Sequence, residues 1–366
     1  MLLSILVATL PPCVCNIVGL LVVKLKVLPS LSIEYFNSLI FKVCIPALLV
    51  ASLSELEVTP QLRSFFFLQV LFRFITFIIA FLISTQLRLS KSQVPFKINV
   101  YAFFSTTAWA NGIVLGIPLI ESLFSKEAVI YALICGSVDY CVHVIVGSFV
   151  LSDGANVKQV VKKVVTKPAV VAVFVGLSFS FLKITLHPII ANSLYYMSSI
   201  VKGSAHIVAG MELCVTLFEH HNIFSRFAEK NLESKQVPLL SLTEDENDLD
   251  GIIFTKENYQ FETVLDQRLE VVTDPFDVRY LSLLIGCKVV LAPLLMFILG
   301  KLLRLDDVAF QMAVFISCLP PSLSAFVLAR SFNKCVAASN FVIVLITLLF
   351  PPLALLYGLI FNWSFQ

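Results

Sequence analysis

Ten long apolar stretches constrain this sequence more than any other feature. A helix of about 20 apolar residues spans the hydrocarbon core of a bilayer, which is about 30 Å thick. Charged residues make up only 14% of the chain, against about 25% in an ordinary soluble domain. The sequence therefore predicts an all-α, multi-pass membrane protein with ten transmembrane helices. The stretches hold roughly 17 to 27 residues each, at approximately 3–24, 37–54, 64–87, 98–124, 128–151, 168–186, 189–218, 280–300, 308–329 and 336–362.

Basic residues are distributed unevenly among the connections between these spans. Connections after odd-numbered spans carry eleven Lys and Arg residues, before the long connection after span seven is counted, whereas those after even-numbered spans carry five. An excess of basic residues marks the cytoplasmic side of a membrane. The asymmetry predicts that both termini face away from the cytoplasm, in the plasma membrane or an endomembrane.

The ten spans divide into two sets of five. An odd number per set gives the halves opposite orientations, which is the inverted repeat common among secondary transporters. We expect the first repeat at residues 1–151. The second repeat begins with spans six and seven at 152–218 and ends with spans eight to ten at 279–366. Between them, residues 219–278 contain an acidic run from Glu244 to Asp250. Low hydrophobicity and clustered like charge predict a disordered cytoplasmic insert, which could bind a cytosolic partner.

Two spans contain residues that interrupt a helix. Proline removes a backbone donor and clashes one turn back, and glycine loosens the backbone. Span four combines both beside Asn111, and span nine, its counterpart in the second half, has two consecutive prolines. A break is tolerated at membrane depth only where it is buried in protein or lines a cavity, and paired breaks mark substrate sites of transporters. If the breaks cross, their half-helix N-termini would attract an anion. The expected substrate-binding residues are Asn111, Gly112, Gly116, Pro118, Pro320, Pro321 and Ser322.

Ionisable side chains inside the spans form a second group of candidates, because charge within a bilayer is costly and usually functional. Arg73 and Lys288 lie at similar depths in spans three and eight, and could either reach the interface or point inward at an anion or carboxylate. Gln69 lies one turn before Arg73 on the same face. Asp139 shares a face with His143. That pair could relay a proton, or Asp139 could form an ion pair with Arg73 or Lys288 for packing alone.

Other kinds of functional site receive no support from the sequence. It has no Walker-type glycine loop, which argues against ATP as the energy source, and no cluster with the spacing of metal ligands. His206 lies deep in span seven, where an isolated histidine is more often structural. These observations predict a protein that is not an enzyme and has no cofactor or metal.

Four motifs along the chain match those of one family in the same order. Asn111-Gly-Ile-Val-Leu-Gly-Ile-Pro118-Leu-Ile is similar to the signature Asn-Thr-Leu-Val-Met-Gly-Ile-Pro-Leu-Leu. Cys44-Ile-Pro46-Ala-Leu-Leu is similar to Ala-Val-Pro-Leu-Leu, and Thr166-Lys167-Pro168 stands where the family has Arg-Asn-Pro. Leu319 through Arg330 follows a further family motif, with Pro-Pro as a departure. The chain thus resembles the auxin efflux carrier (PIN and PIN-like) family over essentially all ten spans, as a divergent member.

This resemblance implies a scaffold domain and a transport domain in which spans four and nine cross. It implies amphipathic organic anions, such as auxin-like carboxylates, as substrates of an elevator-type secondary transporter. In that family the fourth-span asparagine, here Asn111, contacts the substrate carboxylate. The family's third-span Asp/Lys support pair falls on Gln69 and Arg73, so the acid is missing, and Asp139 is a hypothetical substitute.

Two other functions remain open at this point. A membrane sensor could keep the fold, bind a lipid or sterol, and signal through residues 219–278. A sodium-coupled symporter of organic anions is the second alternative. The expected partners are a small organic anion, membrane lipid, a second copy in a homodimer and a cytosolic partner of the insert, with no nucleic acid.

Overall fold

The chain is helical throughout the part that the structure describes. Within that part, β-type pairing is limited to one antiparallel bridge between Ala110 and Pro321. The insert predicted at 219–278, including its acidic run, lies outside the described residues except for Val278. The computed structural model describes residues 2–29, 32–89, 94–125, 127–152, 157–201, 203–212, 214–215, 278–332, 334 and 336–361.

Each of the ten apolar stretches contains at least one helix. Six of the described helices are long and apolar enough to cross a membrane, which supports an integral, multi-pass membrane protein. The relation of the two halves as inverted repeats and the orientation of the termini stay predictions. The helices are α1 (Leu2–Lys24), α2 (Ser32–Ser54), α3 (Pro60–Leu89), α4 (Phe96–Ala108), α5 (Gly112–Leu123), α6 (Val129–Leu151), α7 (Val157–Val165), α8 (Pro168–Phe181), α9 (Pro188–Ser199), α10 (203–212), α11 (Val278–Gly286 continuing through Cys287–Leu291 into Ala292–Leu302), α12 (Asp307–Cys318), α13 (Leu323–Ser331) and α14 (Val336–Ile360).

Prolines account for local irregularities in three helices. A π-helical turn ends two residues before Pro46 in α2, before Pro118 in α5 and before Pro293 in α11. Proline cannot donate to the carbonyl four residues back, and its ring clashes with that carbonyl. A π turn shifts the hydrogen-bond pattern by one residue, which accommodates the proline without ending the helix.

Both predicted breaks are present. The break in span four separates α4, which ends at Ala108, from α5, which begins at Gly112. The break in span nine lies between Cys318 at the end of α12 and Leu323 at the start of α13. Span seven is also interrupted, by a turn at Ile200 between α9 and α10, which the sequence pattern did not predict.

Helices α1 and α10 approach each other at backbone distance. A Cβ atom added to Gly19 would lie 1.9 Å from the carbonyl oxygen of Ile207, and one added to Gly210 would lie 1.9 Å from that of Asn16. Such proximity requires glycine, because no real Cβ atom tolerates it. Small residues permit this approach between membrane helices. The close pair places Asn16 of α1 beside α10 and near the paired breaks.

Large apolar side chains cover much of the outer surface. In α3, for example, Phe66, Phe67 and Phe74 are 50%, 56% and 63% exposed. The same helix also carries Gln69 and Arg73, which are buried. An apolar exterior with polar residues inside is the arrangement that a lipid environment requires.

Candidate functional site

The two helix breaks pair with each other through their backbones. The Asn111 N–H donates to the Pro320 carbonyl at 2.8 Å, and the Ser322 N–H donates to the Trp109 carbonyl at 2.8 Å. These two bonds form the bridge between Ala110 and Pro321. Each break therefore provides hydrogen-bond partners for backbone N–H and C=O groups that the other break leaves without a partner in its own helix. Such groups need partners because they are buried away from water.

Asn111 occupies the tightest bend of this pairing. Its φ of −78° and ψ of 55° are those of an inverse γ-turn, in which the Gly112 N–H donates to the Ala110 carbonyl at 2.8 Å. The side chain is only 4% exposed. Within the described residues its amide makes no hydrogen bond to another group. A buried amide that can both donate and accept is thus left available beside the break.

The remaining residues expected at this site lie at different distances from the bridge. Pro320, Pro321 and Ser322 are buried and lie in or next to the bridge. Gly116 packs against the second break, since a Cβ there would lie 2.8 Å from the Leu319 side chain. Pro118 is half-buried and lies six residues after Gly112 in α5. Of the residues expected at this site, Asn111 alone is in the lining of the cavity described next. Their contacts with a substrate stay predictions.

A small cavity of about 20 Å³ lies against the paired breaks. It has room for about one water molecule, which needs roughly 10–15 Å³ by this measure. One wall comes from α1 and α10, and the other from the break, α13 and α14. The lining residues are Asn16, Asn111, His206, Ala209, Gly210, Leu323, Ile343, Val344, Thr347 and Leu348.

Two of the residues that line this cavity carry polar atoms without hydrogen-bond partners in the part of the chain that the structure describes. Oδ1 of Asn16 and Nε2 of His206 are buried and have no hydrogen-bond partner among the described residues. The His206 imidazole also interacts with the backbone of Val114, in the π-helical turn that follows the break. Buried polar groups are normally paired, so unpaired ones in the residues around a cavity indicate a place for a polar guest.

Sequence reasoning did not identify this second wall. The sequence pattern does not distinguish Asn16 from its apolar neighbours in span one, and it favours a structural role for the isolated His206. The available signal was an amide and an imidazole inside apolar helices, where polar groups are costly. Which of them faces the breaks depends on the packing of α1 and α10 against the rest of the molecule.

A buried charge cluster lies behind the first break, centred on Arg73 of α3 and Asp139 of α6. Nε of Arg73 donates to Oδ1 of Asp139 at 2.8 Å, and its Nη2 lies 2.7 Å from the same oxygen. Its Nη1 donates to the Gln69 carbonyl at 2.8 Å and to Oε1 of the same residue. Nη2 also donates to Sγ of Cys135 at 3.1 Å. The guanidinium therefore points inward, as one of the two sequence interpretations expected.

His143 connects this cluster to the first break. Its Nδ1 lies 3.1 Å from Oδ1 of Asp139, within ion-pair range but without hydrogen-bond geometry. Its ring is stacked between Phe104, at a centroid distance of 4.4 Å, and Trp109, at 4.9 Å. Trp109 is the residue whose carbonyl accepts from Ser322, so the cluster and the paired breaks share a residue. The predicted pairing of Asp139 and His143 on one face is confirmed, whereas a proton relay stays a hypothesis.

Lys288 of α11 is the second inward-pointing cation. It is 1% exposed, and its Nζ has no hydrogen-bond partner in the described part of the chain. It lies within electrostatic range of Asp139 and Arg73, and of Cys318 at the second break. Two cations thus face one carboxylate, so the cluster carries an excess of positive charge next to the breaks while Lys288 is protonated, whether or not His143 is.

Comparison with models of protein families identifies a family for this chain. A family model described as "Membrane transport protein" matches residues 4–357. The match begins in α1 and ends in α14, so it includes both breaks, the cavity lining and the charge cluster. A comparison with curated proteins finds no match.

Proposed function

The chain belongs to the membrane transport protein family of the auxin efflux carriers, and from this membership we propose that it moves an amphipathic organic anion across a membrane. The observation that carries the proposal is the unpartnered Asn111 amide at the paired breaks, on a cavity with two further unpartnered polar atoms. We propose that Asn111 binds the carboxylate of the substrate.

The electrostatics around the breaks favour an anion. Asn111 and Leu323, which line the cavity, lie at the N-terminal ends of α5 and α13. Helix N-termini carry partial positive charge and unsatisfied N–H groups, which attract anions. Arg73 and Lys288 together exceed the charge of Asp139. The low dielectric of the interior strengthens the effect of this excess on a bound carboxylate.

The cavity lining favours an amphipathic substrate. Asn16, Asn111 and His206 supply polar atoms, whereas Leu323, Ile343, Val344 and Leu348 supply an apolar surface. Sites for small organic molecules commonly combine an apolar lining with a few convergent polar groups. A carboxylate attached to an apolar body matches this division.

The small size of the cavity requires movement during transport. A space for about one water cannot hold an organic anion, so the two walls must separate for binding. One wall is the α1–α10 pair, and the other carries the breaks, α13 and α14. We propose that these walls move relative to each other in an elevator-type alternating-access cycle.

The first experiment compares Asn111→Ala with Asn192→Ala, which removes an exposed amide from α9. Ligands stabilise a folded protein by mass action, so amphipathic carboxylates and their uncharged amides are screened by thermal stabilisation. We expect carboxylates to stabilise the wild type and Asn192→Ala. Loss of a hydrogen bond to a charged group costs about 1.5–3 kcal/mol. We therefore expect Asn111→Ala to bind carboxylates with roughly 10- to 100-fold lower affinity. A folded Asn111→Ala protein with unchanged affinity and uptake would refute the site.

Two further measurements separate the alternatives. Uptake into proteoliposomes that is independent of a sodium gradient would exclude a sodium-coupled symporter. Deletion of residues 219–277 should leave uptake intact in a transporter, whereas a sensor would still bind its ligand but would lose signalling through that segment. A protein that binds a sterol or lipid without any flux would favour the sensor.

A further inference from the structure

Helix α7 is a short basic helix held between two apolar helices. It begins at Val157, after α6 has ended at Leu151, and it is followed by α8 from Pro168. It contacts both neighbours. Since α6 is long and apolar enough to span a membrane, a helix joined so closely to its end lies at the membrane surface.

The sequence of α7 separates polar from apolar side chains. At 3.6 residues per turn, Val160, Val161, Val164 and Val165 lie on one side, and Lys158, Gln159 and Lys162 lie on the other. The helix contains no acidic residue. A basic, strongly amphipathic helix is typical of segments that lie in a membrane interface.

Packing covers only part of this apolar side. Val160 and Val164 are buried, at 6% and 2% exposure. Val161 and Val165 are 44% and 50% exposed. On the helical wheel these two valines lie on the edge next to Lys158 and Lys162, which are also exposed. The helix therefore presents an uncovered apolar strip bordered by two cations.

We propose that α7 binds anionic phospholipid, with Val161 and Val165 inserted at the level of the upper acyl chains and Lys158 and Lys162 at the headgroup phosphates. The apolar strip favours a lipid over a soluble polyanion, because a soluble ligand would leave the valines in water. The lysines favour an anionic headgroup over a zwitterionic one. The acidic run from Glu244 to Asp250 could neutralise the lysines but offers little apolar surface to cover the valines.

The test uses the full-length protein in uncharged detergent micelles, titrated with fluorescent phosphatidylglycerol or phosphatidylcholine. The variant is Lys158→Gln/Lys162→Gln, and the charge-matched control is Arg63→Gln/Lys183→Gln, at two exposed sites elsewhere. Each interfacial lysine contributes about fivefold to binding. We expect the variant to lose about 25-fold in phosphatidylglycerol affinity at low ionic strength, with the control and phosphatidylcholine binding unchanged.

A second variant tests the apolar strip with the charges intact. Val161→Thr/Val165→Thr keeps the shape of both side chains, and we expect it to weaken binding of both lipids. Thermal unfolding without added lipid verifies that each variant is folded. Equal phosphatidylglycerol affinity in the lysine variant and the control would overturn the proposal. A third variant replaces the acidic residues of the run from Glu244 to Asp250 by their amides. If only this variant binds phosphatidylglycerol and the wild type does not, the proposal is overturned too, because the chain's own acidic segment would then occupy α7.

Discussion

Substitution of Gly210 by alanine tests the close approach of α1 and α10. The new Cβ would lie 1.9 Å from the Asn16 carbonyl oxygen and 2.7 Å from its carbonyl carbon. Ordinary van der Waals contact begins at 3.4 Å, so the two helices would have to separate by about 1.5 Å. The obstacle is backbone, which cannot rotate away as a side chain could. The same separation would displace Asn16, and with it one wall of the cavity.

Gly203, in the same helix, provides a matched control. A Cβ there would meet nothing within 4 Å. Replacement of a glycine in a helix interior by alanine gains about 0.5–1 kcal/mol from helix propensity, and Gly203, at the start of α10, gains at most this amount. The difference between the two variants is therefore a lower bound on the steric cost. Overpacking costs about 1–3 kcal/mol, and occasionally more, and a clash with backbone belongs to the upper end.

The assay is thermal unfolding of the purified protein in detergent, followed for Gly210→Ala, Gly19→Ala and Gly203→Ala. A Cβ added to Gly19 would lie 1.9 Å from the Ile207 carbonyl oxygen, so the Gly19 variant should behave like Gly210→Ala. We expect both to unfold at lower temperature than the wild type, and Gly203→Ala to unfold at the same or a higher temperature. Equal midpoints for Gly210→Ala and Gly203→Ala would refute the backbone contact between α1 and α10.

Two further predictions concern the charge cluster. Asp139→Asn leaves Arg73 buried and unpaired, so we expect a loss of about 3–5 kcal/mol in stability, measured by thermal or denaturant unfolding; most of it should return in Arg73→Met/Asp139→Leu, which removes both charges. If the double variant is as unstable as Asp139→Asn, packing rather than unpaired charge is the cause. Lys288→Met removes an unpartnered buried cation, so we expect unchanged or higher stability but weaker carboxylate binding, measured by ligand titration. Full anion affinity in Lys288→Met would contradict a role for this positive charge.

The sequence contains the information for the spans and the breaks because both depend on local properties. The length of an apolar run decides whether a helix can cross a bilayer. Proline and glycine act on the backbone within one turn, so the interruptions beside Asn111 and Pro320 were predictable from their positions alone. The prediction from its motifs that the chain is a member of the auxin efflux carrier family is confirmed.

Periodicity also predicted the contacts between near neighbours on one helix. Gln69 and Arg73 are four residues apart, as are Asp139 and His143, and both pairs are in contact. The interruption at Ile200 was not predicted, because no proline marks it and the glycine beside it, Gly203, is a weak signal on its own.

Which distant polar groups meet depends on how the helices pack in three dimensions. Arg73 and Asp139 are 66 residues apart, and their ion pair leaves Lys288 without a hydrogen-bond partner among the described residues. Sequence allowed either cation to pair with this acid. Asn16 and His206 join Asn111 at one cavity because two glycines bring α1 and α10 together. Burial makes every polar atom depend on its nearest neighbours, and those neighbours are set by helix packing rather than by position along the chain.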